Sequence, residues 1–274
     1  MCDKLADLMY EFFFPFLRCV RSHFYFMDLY IMINHIFGSF NYSHYEFHRW
    51  MKPLLFKKLS ITALCLVAGV EWGAEMQQLS AEGCHVHGYE PNPISFSSLQ
   101  ERIKDKNIQI HNKGLGGVQD KGKTLKIEYQ GAKFNSDMLA VSDEIKARSI
   151  NGQIGLLSVD TNNNEHVIIS DALPYMNNIE QLWVEIYACN PHNRNMLYGL
   201  SLTHKLYDFV WWGKTSNGTD YFENIQEKYI DEYIERACKL VSPGAFLQTD
   251  IVAVRKDIKA DMKKTIKTLR ETIT

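Results

Sequence analysis

Residues 64–93 constrain the fold more than any other stretch of the chain. Leu64-Cys65-Leu66-Val67-Ala68 is an unbroken apolar run that leads into Gly69 and Gly73. A short helical segment follows, with Met76 and Leu79 on one face and Gly83 as its stop. His85-Val86-His87-Gly88-Tyr89 then reads as a second strand ending on Glu90, about twenty residues past the first turn. Strand, glycine turn, helix, strand and acid is the layout of a nucleotide-type site at the carboxyl ends of parallel strands. Glycines allow close backbone approach, a helix start offers unpaired N–H groups, and the acid can accept hydrogen bonds from a ribose diol. The Gly-x-x-x-Gly spacing is not the full Gly-x-Gly-x-x-Gly dinucleotide fingerprint, so an ordinary β-α-β unit with a glycine turn fits equally well.

The rest of the chain extends the alternation. Asn92-Pro93 opens a helix, Asn as cap and Pro in the first turn, with Phe96, Leu99 and Ile103 at helical spacing. Asn107–His111 predicts a third strand running into the glycine-rich Asn112–Gly117 turn, and Thr124–Tyr129 alternates like a hairpin strand. After a polar interval, Ile154–Asp160 is a buried strand ending on an acid, followed by a helix from about His166 to Leu173. Ile179–Ile186 carries Glu185 near its end, Asn190-Pro191 opens a helix to about His204, and Tyr207–Trp212 is an aromatic strand. Phe222–Leu240 reads as an amphipathic helix and Phe246–Val254 as a closing strand. This order predicts an α/β fold: a Rossmann-like, doubly wound, mostly parallel sheet with helices on both faces.

Three regions are expected: an aromatic-rich helical extension at 1–57, the main domain at 58–255 and an amphipathic helix at 256–274. The extension lacks a signal peptide's basic start, since Asp3, Asp7 and Glu11 stand there, and its longest apolar run is broken by Asp28, Asn34 and His35. Membrane association through it is the less favoured alternative to packing on the domain. His44 and His48 share helical spacing without a third ligand nearby, so no metal site is expected. The 274 residues carry a net charge of -2, which argues against a nucleic-acid partner. The six cysteines form no Cys-x-x-Cys pair, which points to a reducing, cytoplasmic setting.

Glu90-Pro91-Asn92-Pro93 resembles the acid-Pro-Asn-Pro segment that follows the second strand in the FkbM-type family of S-adenosylmethionine-dependent methyltransferases. Asn112–Gly117, Leu156–Asp160 with Glu165, and Leu182–Ile186 resemble later segments of that family in the same order. The resemblance covers roughly Ile61 to Tyr187. Val67 stands where the family's first-strand motif has an acid, Glu71 where it has Asn, and Asn162-Asn163 where the fourth-strand motif has a Glu-Gly pair.

The resemblance implies a class I methyltransferase-like fold with S-adenosylmethionine as cofactor and a small molecule or glycan as methyl acceptor. It implies cofactor contacts at Gly69, Glu71, Gly73, Glu90, Asn112, Leu115 and Asp160, with Glu90 on the ribose. Asp160 and Glu165 become the candidates for acceptor orientation or base catalysis. The altered motifs keep a second reading open, a catalytically inactive member of the fold used for binding.

Overall fold

The computed structural model describes residues 55–56, 60–70, 72–129, 132–161, 164–208, 223–240 and 248–259, together with 261, 262, 264, 265 and 268. The expectations for residues 1–54, Glu71, Asn162-Asn163 and Trp211-Trp212 lie outside the described residues.

Five parallel strands form the frame: β1 (Leu64–Ala68), β2 (His85–Tyr89), β3 (Ile108–His111), β7 (Ile154–Val159) and β8 (Ile179–Tyr187). Among the described residues three further strands join the main sheet: β9 (His204–Asp208), β10 (Glu223–Ile225) and β11 (Gln248–Arg255). The order is β10-β9-β11-β8-β7-β1-β2-β3, with β11 inserted antiparallel between β8 and β9. The chain therefore builds outward from β1 in one direction, then returns to its other side with β7. That reversal places a crevice at the carboxyl ends of β1 and β7, as in every doubly wound sheet. The expected Rossmann-like, mostly parallel fold is the one observed.

Pleat alternation sorts the two faces. Leu64, Leu66 and Ala68 of β1 join one buried cluster with Leu157, Val159, Leu182 and Val184. Among the described residues four helices cover that face: α3 (Val141–Arg148), α4 (Glu165–Ala172), α5 (Asn193–Ser201) and α6 (Ile230–Leu240). Cys65 and Val67 face the other way, into a cluster with Leu156, Trp183 and Val252. There α1 (Ala74–Ala81) contributes Met76 and Leu79, and α2 (Pro93–Arg102) contributes Leu99. These three side chains are fully buried, and each such burial stabilises by about 1.5–3 kcal/mol.

The α2 start follows its sequence signal: Asn92 Oδ1 accepts from Ile94 N at 3.0 Å, with Pro93 as the first helical residue. Other boundaries differ from the expectation. The polar interval holds β6 (Ala132–Ala140) and α3, and β6 pairs with β4 (Gly114–Gly116) and β5 (Thr124–Tyr129) in a separate three-stranded sheet. Phe222–Leu240 is not one helix: β10 and a single 3-10 turn (Glu227–Tyr229) precede α6. The helix after β8 begins only at Asn193, because Asn190 Oδ1 accepts from His192 N and closes a turn first. Near the carboxyl terminus, Asp261 Oδ1 accepts from Lys264 N, and Met262 is buried in the same cluster as Trp183.

Candidate functional site

The register aligns the carboxyl ends of the central strands. Tyr89 pairs with Ala68, Ala68 with Val159, and Val159 with Val184. The next row up is Glu90, Gly69, Asp160 and Glu185, and Asp250 of β11 stands directly opposite Glu185. Gly69 N donates to Tyr89 O, Glu90 N to His111 O and Asp160 N to Ala68 O, so the ladder continues into this row. By pleat parity all four acids lie on the face covered by α1 and α2, opposite the one that holds Tyr89, Ala68, Val159 and Val184. Four carboxylates thus stand on five adjacent strands, with a glycine between Glu90 and Asp160.

Their environments differ. Asp160 is exposed, whereas Glu90, Glu185 and Asp250 are buried. Glu90 Oε1 accepts from Asn92 N at 2.9 Å, and the Asn112 amide donates to the Glu90 and Pro91 carbonyls. Burial, then the Asp160 charge and a hydrogen bond with Asp160, then the Asp250 charge, push the Glu185 carboxyl up to about 9. Glu185 therefore carries a proton at neutral pH and Asp160 is its hydrogen-bond partner. Tyr187, hydrogen-bonded to Glu185, is held above the usual phenol range by burial and by Glu185.

The glycines have internal reasons for being glycine. Gly69 has φ +81°, and a Cβ there would overlap the Asp160 carbonyl oxygen. Gly73 has φ +75°, and a Cβ would press on Ile103 Cδ1 at 2.6 Å and Leu99 Cδ2 at 2.8 Å. Both let the turn close against the protein's own atoms. Glu165 is buried and turned back along the chain, its Oε1 accepting from Thr161 N at 2.8 Å and Thr161 Oγ1 at 3.2 Å. It holds the turn that follows Asp160. Leu115 lies in the core cluster of the opposite face, with Tyr89 and Val141. Of the residues expected to form the site, the row unites Gly69, Glu90 and Asp160. Asn112 braces it, Glu165 and Gly73 shape its turns, and Glu71 is outside the described residues.

Asp250, Tyr187 and a histidine pair are what sequence reasoning missed. The His166 and His192 rings stack at 3.8 Å and 4°, joining the starts of α4 and α5 near the same strand ends. Nothing local announces that pair. Asp250 carried one signal, a charge entering the apolar run Ile251–Val254.

An open cleft of about 920 Å³ lies at the opposite end of the strands, beside the amino ends of β1, β7 and β8, lined by Thr62, Gln153, Glu180, Thr203 and Arg255 among others. Its buried acid is already engaged: Glu180 accepts from Ile61 N, Thr62 N and Thr62 Oγ1. Arg255 is likewise bound to Gln153, Asn177 and Asp257. In an open α/β sheet ligands sit at the carboxyl ends, so the acid row is the better candidate. Among the described residues no group of three metal-ligating side chains could hold an ion, and no helix is long and apolar enough to cross a membrane.

No protein-family model matches the chain, and no curated protein sequence matches it. Among solved structures the chain is similar to an rRNA methylase from Streptococcus thermophilus, at 10% identity and a TM-score of 0.42, over 75% of this chain and 94% of that one. It is similar to geranyl diphosphate methyltransferase in complex with SAM, at 10% identity and a TM-score of 0.39, over 75% and 84%. It is also similar to a TehB-like SAM-dependent methyltransferase from Corynebacterium glutamicum, at 9% identity and a TM-score of 0.38, over 84% and 96%. Likeness of this degree assigns neither an activity nor a ligand to the chain.

Proposed function

We propose that the protein is an S-adenosylmethionine-dependent methyltransferase of the FkbM type, acting on an oxygen of a small molecule or glycan. The observation that carries the reading is the row of Glu90, Gly69, Asp160, Glu185 and Asp250 at the switch point of a doubly wound sheet. The donor set fits a cationic nucleoside. Glu90 and Asp160 stand two strand spacings apart, about 10 Å, on either side of Gly69. That spacing suits a ribose at Glu90 and a sulfonium beside Asp160.

Bound there, S-adenosylmethionine supplies an electrophilic methyl group on a positively charged sulfur. The chain's own residues bind and orient. Glu90 holds the ribose hydroxyls, and its backbone partners Asn92 and Asn112 keep it in place. The exposed Asp160 carboxylate attracts the cation and accepts a hydrogen bond from the acceptor hydroxyl. The protonated Glu185 donates to Asp160 and keeps a second negative charge from forming beside it. Transfer is an in-line displacement, so positioning of the two reactants supplies most of the acceleration, and a base is needed only to take the hydroxyl proton.

Calorimetric titration with S-adenosylmethionine and its demethylated product tests the reading. Saturable binding of both, weakened by E90A, is expected, and no binding at millimolar ligand overturns it. Binding with no turnover on any acceptor favours the inactive, binding-only form of the fold. The buried Val67 at the family's acid position is the observation on that side.

A further inference from the structure

Among the described residues, cysteines far apart in sequence meet in space. Cys189 follows β8 and Cys238 lies on α6, yet the Cys238 thiol hydrogen-bonds the Cys189 side chain. Cys189 is exposed and Cys238 half-buried. Cys189 also has φ +62°, left-handed backbone for a residue with a Cβ. Such a conformation costs on the order of 1–2 kcal/mol and persists where the surroundings impose it. The surroundings here are a tight turn, Asn190 N donating to Tyr187 O, which presents Cys189 outward beside the helix that carries its partner.

The geometry points to a dithiol at Cys189 and Cys238 that closes to an intramolecular disulfide on meeting a small-molecule disulfide oxidant. The exposed Cys189 is the entry point. Its thiolate attacks one sulfur of the oxidant, a mixed disulfide forms, and the first oxidant thiol leaves with the proton. Cys238 then gives up its proton and attacks the Cys189 sulfur, and the second oxidant thiol leaves. The protein loses two hydrogens and the oxidant is reduced to two thiols. Burial and the neighbouring Cys189 push the Cys238 thiol up to about 11. Cys238 is therefore the resolving rather than the attacking sulfur.

A second close pair supplies an internal control. Cys65 on β1 and Cys84 before β2 also share a hydrogen bond, but both are buried, and no oxidant reaches them in the folded protein. The closed bridge would tie α6 to the segment two residues beyond Tyr187, on the rim of the acid row. The inference does not rest on the methyltransferase reading, because its chemistry and test involve no cofactor.

The test is peptide mapping of the full chain without reduction, after incubation with oxidised glutathione and after reduction with dithiothreitol. The expected result is a Cys189–Cys238 cross-linked peptide two hydrogens lighter than the reduced pair, with Cys65 and Cys84 still free. Thermal melting of the oxidised protein should rise by several degrees, because the bridge closes a long loop of the unfolded chain. C238S should stop at a glutathione adduct on Cys189, and C189S should leave Cys238 unmodified. Persistent glutathione adduct on wild-type Cys189, or a cross-link from either cysteine to any other, overturns the inference. Both readouts are made on the wild-type chain, so they stand even if a variant fails to fold.

Discussion

Asp250 on β11 stands directly opposite Glu185 on β8 in an antiparallel ladder, and the two are 3% and 7% exposed. Like charges placed this way repel, and Asp160 adds a third carboxyl on the other side. The folded protein therefore keeps the Glu185 proton up to about 9, whereas an unfolded chain releases it near 4.5. Between those values the folded state binds more protons, so stability falls as pH rises from about 4.5 to 9. E185Q removes that loss while its amide still donates to Asp160. It should raise stability at pH 8 by about 1–3 kcal/mol, several degrees in melting temperature, and flatten the pH dependence. A variant that melts with the wild-type slope between pH 5 and 9 would place the proton elsewhere.

On the opposite face a second titrating cluster has the other sign. His87 Nδ1 lies 2.9 Å from Arg148 and 3.3 Å from the His111 ring, and Glu144 Oε2 accepts from Tyr89 and Arg148. Burial, then the Arg148 charge, then His111, lower His87 to about 4. The unfolded state binds the extra proton between 6.5 and about 4, so stability is full above 6.5 and is lost as pH falls through that window. The imidazole is only partly buried, so the loss is discounted to about 1 kcal/mol. H87Q keeps an acceptor for Arg148 without the titration. Its urea midpoint should fall less than the wild type's between pH 7 and 4.5, and an equal fall would remove His87 from the account.

Gly69 tests the turn. An alanine there needs φ +81° and overlaps the Asp160 carbonyl, which belongs to backbone and has little room to retreat. G69A should lose more than about 3 kcal/mol or fail to fold. G73A meets only the ends of Leu99 and Ile103 side chains and should lose less, about 1–3 kcal/mol. Denaturant midpoints in the reverse order would contradict the packing described for these two positions.

These contrasts show what a sequence carries. β1, the Asn92-Pro93 helix start and the acids at the ends of β2 and β7 were legible because each is a local pattern: an apolar run, a cap, a strand followed by a carboxylate. The glycines were legible as a turn, but their reason was not. The atoms they avoid belong to Asp160, Leu99 and Ile103, distant in sequence. β6 and α3 were hidden because their segment is polar: β6 belongs to a small separate sheet, and α3 buries only Val141, Ser142 and Ile145. The Glu185–Asp250 pair could not be read at all. It exists only because β11 inserts antiparallel between β8 and β9, a long-range pairing without a local signature. The same holds for Cys189 and Cys238.

The brace that Glu90 forms and the ribose contact proposed for it can be separated. Its Oε1 accepts from Asn92 N at 2.9 Å, and Asn92 in turn caps α2 through Ile94 N. E90A removes both the acid and this brace, so weaker ligand binding in that variant has two explanations. E90Q keeps a carbonyl oxygen for Asn92 N and replaces the other oxygen with a donor. A ribose diol offers donors to that position, and an amide there leaves one hydroxyl facing a group that cannot accept. The expected result is a folding stability within about 0.5 kcal/mol of wild type and S-adenosylmethionine affinity reduced about ten- to hundredfold, measured by denaturation and calorimetry on the same preparation. Unchanged affinity in a stably folded E90Q would take Glu90 out of the ribose site and leave it as the brace of the α2 start.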